Sequence, residues 1–232
     1  MELSARARAR ASIVARARFI EDLVGEAAVQ GVSQYVLLGA GLDTYAQRRP
    51  AGSPPLVVYE VDREGPQVWK RRRLVRLGYA EPEWLKFVPV DLVQDARWVE
   101  GLIGAGYAVD QAAVVAAAGL SMYLERPALL GLLGRSARLA PGSTLVMSYL
   151  VPLDRVDEEE RQDRQSTEKF ARAAGTPFVG CYAPEEMREL VLRAGFARVR
   201  TVSGKDLERM FFAGRSDGLR PSSSEELVVA EV

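Results

Sequence analysis

Short apolar runs that stop at a glycine turn or an acid recur along this chain, with helix-like segments between them, and that alternation constrains the fold most. Gln34-Tyr-Val-Leu-Leu38 stops at Gly39-Ala-Gly41 and reads as a buried strand entering a tight turn. Leu56-Val-Val-Tyr-Glu60 ends in acid at Glu60 and Asp62, and Phe87-Val-Pro-Val90 ends at Asp91. Ala112 to Ala118, rich in Val and Ala, reads as a strand buried on both faces, and Thr144 to Tyr149 follows the turn Ala140-Pro-Gly-Ser143. Helices are predicted over Glu64 to Gly78, about Pro127 to Leu139, and Pro184 to Gly195, the last with Pro in its first turn and Gly at its end. Strands alternating with helices predict a doubly wound, mostly parallel α/β sheet. Arg198 to Val202 and Glu226 to Val232 predict an antiparallel hairpin appended at the C-terminus.

The chain of 232 residues contains no histidine, which excludes Ser-His-Asp triads, Cys-His pairs and HExxH zinc helices. Any chemistry must use carboxylates, Arg, Lys, Tyr, backbone dipoles or a cofactor. Its single cysteine, Cys181, makes no internal disulfide or multi-thiolate zinc site, so no metal is expected and a cytoplasmic location fits. Basic and acidic residues balance at 31 each, which argues against nucleic acid as a partner. The longest apolar run, Ala112 to Leu120, is about half the ~20 residues of a membrane helix, so no membrane partner is expected.

The length suits one domain over residues 1–232. Residues 1–30, with Arg6, Arg8, Arg10, Arg16 and Arg18 among alanines, are expected to form a helical cover rather than a presequence, because they run directly into the apolar positions Phe19, Ile20, Leu23 and Val24. From Asp154 to Glu168 seven acids meet three arginines, which predicts an exposed helix or lid over about 154–180. It follows the fifth strand, where an insertion can cover a ligand bound at the carboxyl ends of the strands.

Three successive strand ends carry groups suited to one ligand. The turn Gly39-Ala40-Gly41-Leu-Asp43 lets a ligand approach the backbone. About 20 residues on, Glu60 and Asp62 place carboxylates where ribose hydroxyls can donate. Asp91 can accept from an adenine amino group while Leu92 packs on the ring. Thr44 stands where a dinucleotide fingerprint has its third glycine, which weakens a nicotinamide reading. The same acids could simply cap helices.

Ala15-Arg-Ala-Arg-Phe-Ile-Glu-Asp22, Leu37-Leu-Gly-Ala-Gly-Leu-Asp-Thr44, Tyr59-Glu-Val-Asp62 with Gln67-x-Trp-Lys70, Val90-Asp91 and Ser121-Met-Tyr-Leu124 together resemble the S-adenosylmethionine-dependent methyltransferases related to leucine carboxyl methyltransferase, many of which serve secondary metabolism. The resemblance runs from about Ala15 to the C-terminus. It implies a Rossmann-like, seven-stranded sheet with its last strand antiparallel, and S-adenosyl-L-methionine as cofactor. It also implies that Arg16 binds the methionine carboxylate, with Arg18 as rival, that Gly39 and Gly41 cradle the methionine moiety, that Asp62 holds ribose, and that Asp91 with Leu92 contacts adenine. Tyr123 is then the candidate catalytic residue, near the transferring methyl.

Two departures stand out. The family often has a glutamate where this chain has Ala118, before Gly119, and many members have a longer segment ahead of the arginine motif. The expected activity is O-methylation, with a carboxylate of a small molecule or peptide as acceptor, because a carboxylate is ionised at neutral pH and needs no base. Alternatives are a non-catalytic S-adenosylmethionine-binding module and an NAD-dependent oxidoreductase.

Overall fold

A computed structural model describes residues 2–93 and 97–232. Seven strands form one sheet in the order β3-β2-β1-β4-β5-β7-β6. They are β1 Gln34–Leu38, β2 Val57–Asp62, β3 Leu85–Pro89, β4 Ala113–Ala117, β5 Thr144–Leu150, β6 Arg198–Val202 and β7 Glu225–Glu231. The pairings from β3 across to β5 are parallel, and only β7 runs the other way, antiparallel to both β5 and β6. This is the doubly wound sheet predicted from the alternation, with strand limits displaced by one or two residues. Pro89 is tolerated within β3 because β3 is an edge strand with no outer neighbour to receive an N–H.

The order reverses between β1 and β4, so their carboxyl ends diverge and leave a crevice there. All five residues of β1 and of β4 are buried, as continuous apolar runs in the middle of a parallel sheet should be. Gln34 is the polar exception in β1. Its amide donates to the carbonyls of Ala108 and Gln111 and accepts from the Ala108 N–H at 2.7 Å, which fastens the approach to β4.

Eight α-helices accompany the strands among the described residues: α1 Glu2–Val29, α2 Tyr45–Arg48, α3 Glu64–Arg76, α4 Trp98–Gly104, α5 Arg126–Ser136, α6 Glu158–Ala173, α7 Pro184–Ala194 and α8 Gly204–Phe211. On one face, Leu129, Leu133, Met187 and Val191 of α5 and α7 pack with Trp98 and Leu102 of α4 onto Val36, Val115 and Met147. On the other, Ala15, Phe19, Ile20 and Val24 of α1 pack with Leu207 of α8 onto Leu37, Val114 and Val229. The i, i+4 spacing of Ala11, Ala15 and Phe19, and of Ile20 and Val24, puts that apolar stripe on a single side of α1. Of the arginines between these positions Arg18 is exposed, whereas Arg16 lies half-buried on the flank of the helix.

The expected C-terminal hairpin is corrected in one respect: β6 and β7 do pair antiparallel, but α8 lies between them rather than a loop. Ser203 starts α8 with a reciprocal cap, its hydroxyl accepting from the Asp206 N–H and Asp206 accepting from the Ser203 N–H at 2.8 Å. Helix α4 also lies outside the sequence reading. It is seven residues long, too short for periodicity to stand out, and buried Trp98 and Leu102 hold it.

Candidate cofactor and acceptor site

A cleft of about 780 Å³ opens at the carboxyl ends of β1 to β4. Gly39, Asp62, Asp91, Leu92, Gly119 and Tyr123 all line it, so one space receives the ends of four strands. Gly39 has φ +70° and Gly119 φ +72°, backbone conformations that favour glycine. A Cβ on Gly39 would lie 3.3 Å from Leu120 Cδ1, and one on Gly119 would lie 2.9 Å from an Arg16 guanidinium nitrogen. Both turns therefore bring bare backbone to the cleft, as a closely held ligand requires.

The turns are braced. Gly39 and Ala40 donate to the Val61 carbonyl, and Gly41 donates to Asp62 Oδ2 at 2.6 Å. Asp62 Oδ1 accepts from the Arg63 N–H at 2.7 Å. Each carboxylate oxygen has a second lone pair for a ligand hydroxyl. On the far side, buried Ser148 of β5 accepts from the Gly119 N–H at 2.8 Å, and its carbonyl accepts from the Ser121 hydroxyl at 2.7 Å. Nothing in the periodicity of β5 marks Ser148 out, and its role depends on the β4–β5 register.

Among the other sequence candidates, Ala40 is buried behind the glycine turn, against the α1 face of the sheet. Asp43 accepts from the Tyr45 N–H at 2.7 Å, and partial burial raises its carboxyl above the usual range. Ala118 is half-buried against the same face as Ala40. Asp91 accepts from the Val93 N–H at 3.0 Å, shaping the wall where Leu92 sits.

Ala40, Gly41, Asp43 and Ala118 thus sit next to the cleft without lining it, Arg16 lines an adjoining chamber, and Glu60 and Arg18 point elsewhere. Glu60 is 1% exposed and bonded to buried Lys70 at 2.5 Å: it shares a face of β2 with Asp62 but lies two positions back from the carboxyl end, inside the sheet, whereas Asp62 emerges at that end. Burial pushes the Glu60 carboxyl up to about 7 against the pull of Lys70. Arg18 is exposed and pairs with Asp22 one turn along α1. Arg16, two positions earlier, instead faces inward and pairs with Glu225 at 2.5 Å.

Behind the cleft lies a second chamber of about 310 Å³, and Gly119 and Tyr123 line both. Its walls come from α1 (Arg8, Ser12, Arg16), α6 (Glu160, Arg164), and the start of β7 at Glu225. Glu160 is buried, and its Oε2 accepts from Ser222 and Ser223, including the Ser223 N–H at 2.9 Å, while its Oε1 lies 3.0 Å from the Arg220 guanidinium. Arg164 is also buried, pairs with Glu168, stacks over Phe178 and approaches Cys181 Sγ at 3.4 Å, while its Nε has no hydrogen-bond partner. Tyr123 meets the Phe178 ring edge-on, with centroids 5.6 Å apart.

The segment after α6 contributes lining residues to both spaces. Gly175 to Pro177 and Val179 line the cleft, and the N–H groups of Val179 and Gly180 donate to the Met122 carbonyl beside Tyr123. A Cβ on Gly180 would fall 2.7 Å from the Ser121 carbonyl oxygen, so this close seating depends on glycine.

The sheet and the cleft at its switch point define the fold as that of the class I S-adenosylmethionine-dependent methyltransferases. Solved structures with this fold include a proposed methyltransferase from Thermobifida fusca (TM-score 0.71, 20% identity, 98% of this chain and 82% of that one). Human N-acetylserotonin methyltransferase in complex with S-adenosylmethionine is more distant (TM-score 0.51, 15% identity, 93% of this chain and 55% of that one).

Residues 2–137 match the leucine carboxyl methyltransferase model, and the chain belongs to that family. YktD of Bacillus subtilis (strain 168), a proposed S-adenosyl-L-methionine-dependent methyltransferase, is 28% identical over 89% of this chain and 67% of its own length. A relative of the same description from Mycobacterium sp. (strain KMS) is 37% identical over 66% of this chain and 49% of its own length. The chain thus spans about half the length of that mycobacterial relative. Among the described residues no helix is long and apolar enough to cross a membrane.

Proposed function

We propose that this chain is an S-adenosylmethionine-dependent O-methyltransferase whose acceptor oxygen belongs to a carboxylate of a small molecule or peptide. The observation that carries the reading is the junction at Gly119 and Tyr123, where a cleft edged by Asp62 and Asp91 meets a chamber containing buried Arg164. The bare backbone at Gly39 and Gly119 fits a cofactor held tightly along its length, and the two carboxylates fit ribose and adenine donors. Arg16, at the chamber end of the junction, is the residue for the methionine carboxylate.

When bound, the cofactor supplies a methyl group whose bond to sulfur breaks, the electron pair remaining on sulfur, as the acceptor oxygen bonds to carbon. The protein's task is then alignment and desolvation. A carboxylate oxygen carries no proton, so a chain without histidine needs no general base for it. The unpartnered Arg164 Nε supplies a buried donor for an anionic acceptor. Tyr123, shared by both spaces, borders the reacting atoms, and the segment 154–180 serves as cover that excludes water.

The test is transfer of labelled methyl from S-adenosylmethionine to matched panels of carboxylic acids, phenols and amines. The reading expects base-labile methyl esters from the first panel. Transfer confined to phenols or amines would overturn the carboxylate assignment, and binding without any transfer would favour a non-catalytic module.

A further inference from the structure

The ion pair between Arg16 and Glu225 joins the first helix to the first residue of the last strand, 209 positions apart in sequence. Both side chains line the inner chamber, and the Arg16 guanidinium lies against the Gly119 turn where the chamber meets the cofactor cleft. Ala118, the neighbour of that turn, brings no charge. Glu225 is held there by sheet register, opposite Leu150 in the antiparallel β5–β7 pair. Its side chain is only 12% exposed and its hydrogen-bond partner is Arg16. The other chamber acids are differently placed: Glu160 already receives donors from Ser222 and Ser223 and pairs with Arg220, and Asp163 lies 3.9 Å from Arg8.

We infer that Glu225 and Arg16 together form a clamp for a zwitterionic α-amino acid end group, Glu225 accepting from the ammonium while Arg16 donates to the carboxylate. The inference rests on the cofactor reading above and assigns to Glu225 a role in it. A cation and an anion side by side present complementary charge to a zwitterion, and they satisfy each other when no ligand is there, so neither is left as an uncompensated charge. An isolated arginine at the junction would recognise any carboxylate. Paired with Glu225, it discriminates in favour of a group that carries an ammonium beside the carboxylate.

Calorimetry on the intact protein and Glu225→Gln tests this with three probes: S-adenosylhomocysteine, its deaminated analogue with hydrogen in place of the ammonium, and 5′-methylthioadenosine, which lacks the amino acid. Wild type should favour S-adenosylhomocysteine over the deaminated analogue. Glu225→Gln should weaken S-adenosylhomocysteine by roughly tenfold or more and the other two by less than about threefold, since only the first loses a charged hydrogen bond. Should Glu225→Gln fail to fold, Glu225→Asp, which shortens the reach and keeps the charge, is expected to show the same selective loss. Parallel weakening of all three probes, or an unchanged preference, would make the pair merely a fastening between α1 and β7 and overturn the inference. A wild-type protein that binds none of the probes would overturn the cofactor reading as well.

Discussion

Asp62 holds the Gly41 N–H at 2.6 Å, bridging the end of β2 to the glycine turn that leaves β1. The same carboxylate lines the cleft. A residue that shapes the turn and faces the ligand should report on both when it is altered. Asp62→Ala is expected to weaken S-adenosylhomocysteine binding by about 1 to 3 kcal/mol, the cost of leaving donors unpaired, and to lower thermal stability in the absence of ligand. Calorimetry alongside thermal melting checks it, and unchanged affinity with lowered stability would leave Asp62 as a turn brace alone.

Arg16 and Arg18 differ by two positions and by almost everything in their surroundings. Arg16→Lys should lose bidentate geometry and Arg16→Ala the charge as well, so affinity for S-adenosylhomocysteine should fall progressively from Lys to Ala. Arg18→Ala removes an exposed pair with Asp22 and should leave affinity and stability essentially unchanged. Titrations of the three variants decide it; equal, negligible effects at both positions would make Arg16 a structural residue.

Glu60 and Lys70 form a buried ion pair beneath the cleft. Replacing Lys70 by Met should destabilise the fold at pH 8 by roughly 3 to 5 kcal/mol, because it strands a buried carboxylate, while a paired Glu60→Leu, Lys70→Met change should recover much of that loss. The pH dependence has a definite sign. The folded pKa of Glu60 is raised from 4.5 to about 7, so the folded state binds the extra proton between those values and stability contributed by this group falls as pH rises through that window. Urea denaturation from pH 4.5 to 8 should show that decline in the wild type, reduced in Glu60→Gln.

Single-turnover methyl transfer to a carboxylate should be flat from roughly pH 6.5 to 8.5, because the acceptor is already ionised and there is no imidazole to titrate. Rapid-quench rates across that interval test the point. A steep rise with pH, with a product that survives mild alkali, would assign a phenol or amine acceptor.

Much of the fold was legible because strand ends write themselves into sequence. Gln34 to Leu38 stopping at Gly39 and the Val-Ala run of β4 are local patterns, set by hydrogen-bonding geometry and burial within a few residues. The glycine turn, Asp62, Asp91 and Leu92 were legible for the same reason, each lying next to its own strand end. Helix α8 was missed although Ser203 and Asp206 carry its cap, because a helix of eight residues inside the longer connection between β6 and β7 is too short for its periodicity to stand out.

Only the tertiary structure separated Glu60 from Asp62 and Arg18 from Arg16. Within each pair the charge is the same and the positions are two apart; Asp62 meets the site because it ends β2 while Glu60 lies deeper in the same strand, and Arg16 meets it because packing turns its side of α1 inward and leaves Arg18 exposed. The inner chamber was decided in the same way. Arg164 and Glu225 of the chamber wall and Ser148 behind Gly119 belong to α6, β7 and β5, and no local pattern associates them with Gly119. They converge because the sheet places β5 beside β4 and antiparallel β7 beside β5, and because α1 crosses that face to bring Arg16 within 2.5 Å of Glu225. Sequence determined the strand ends because their chemistry is local, whereas the partners across the chamber are set by register and helix packing between segments far apart in the chain.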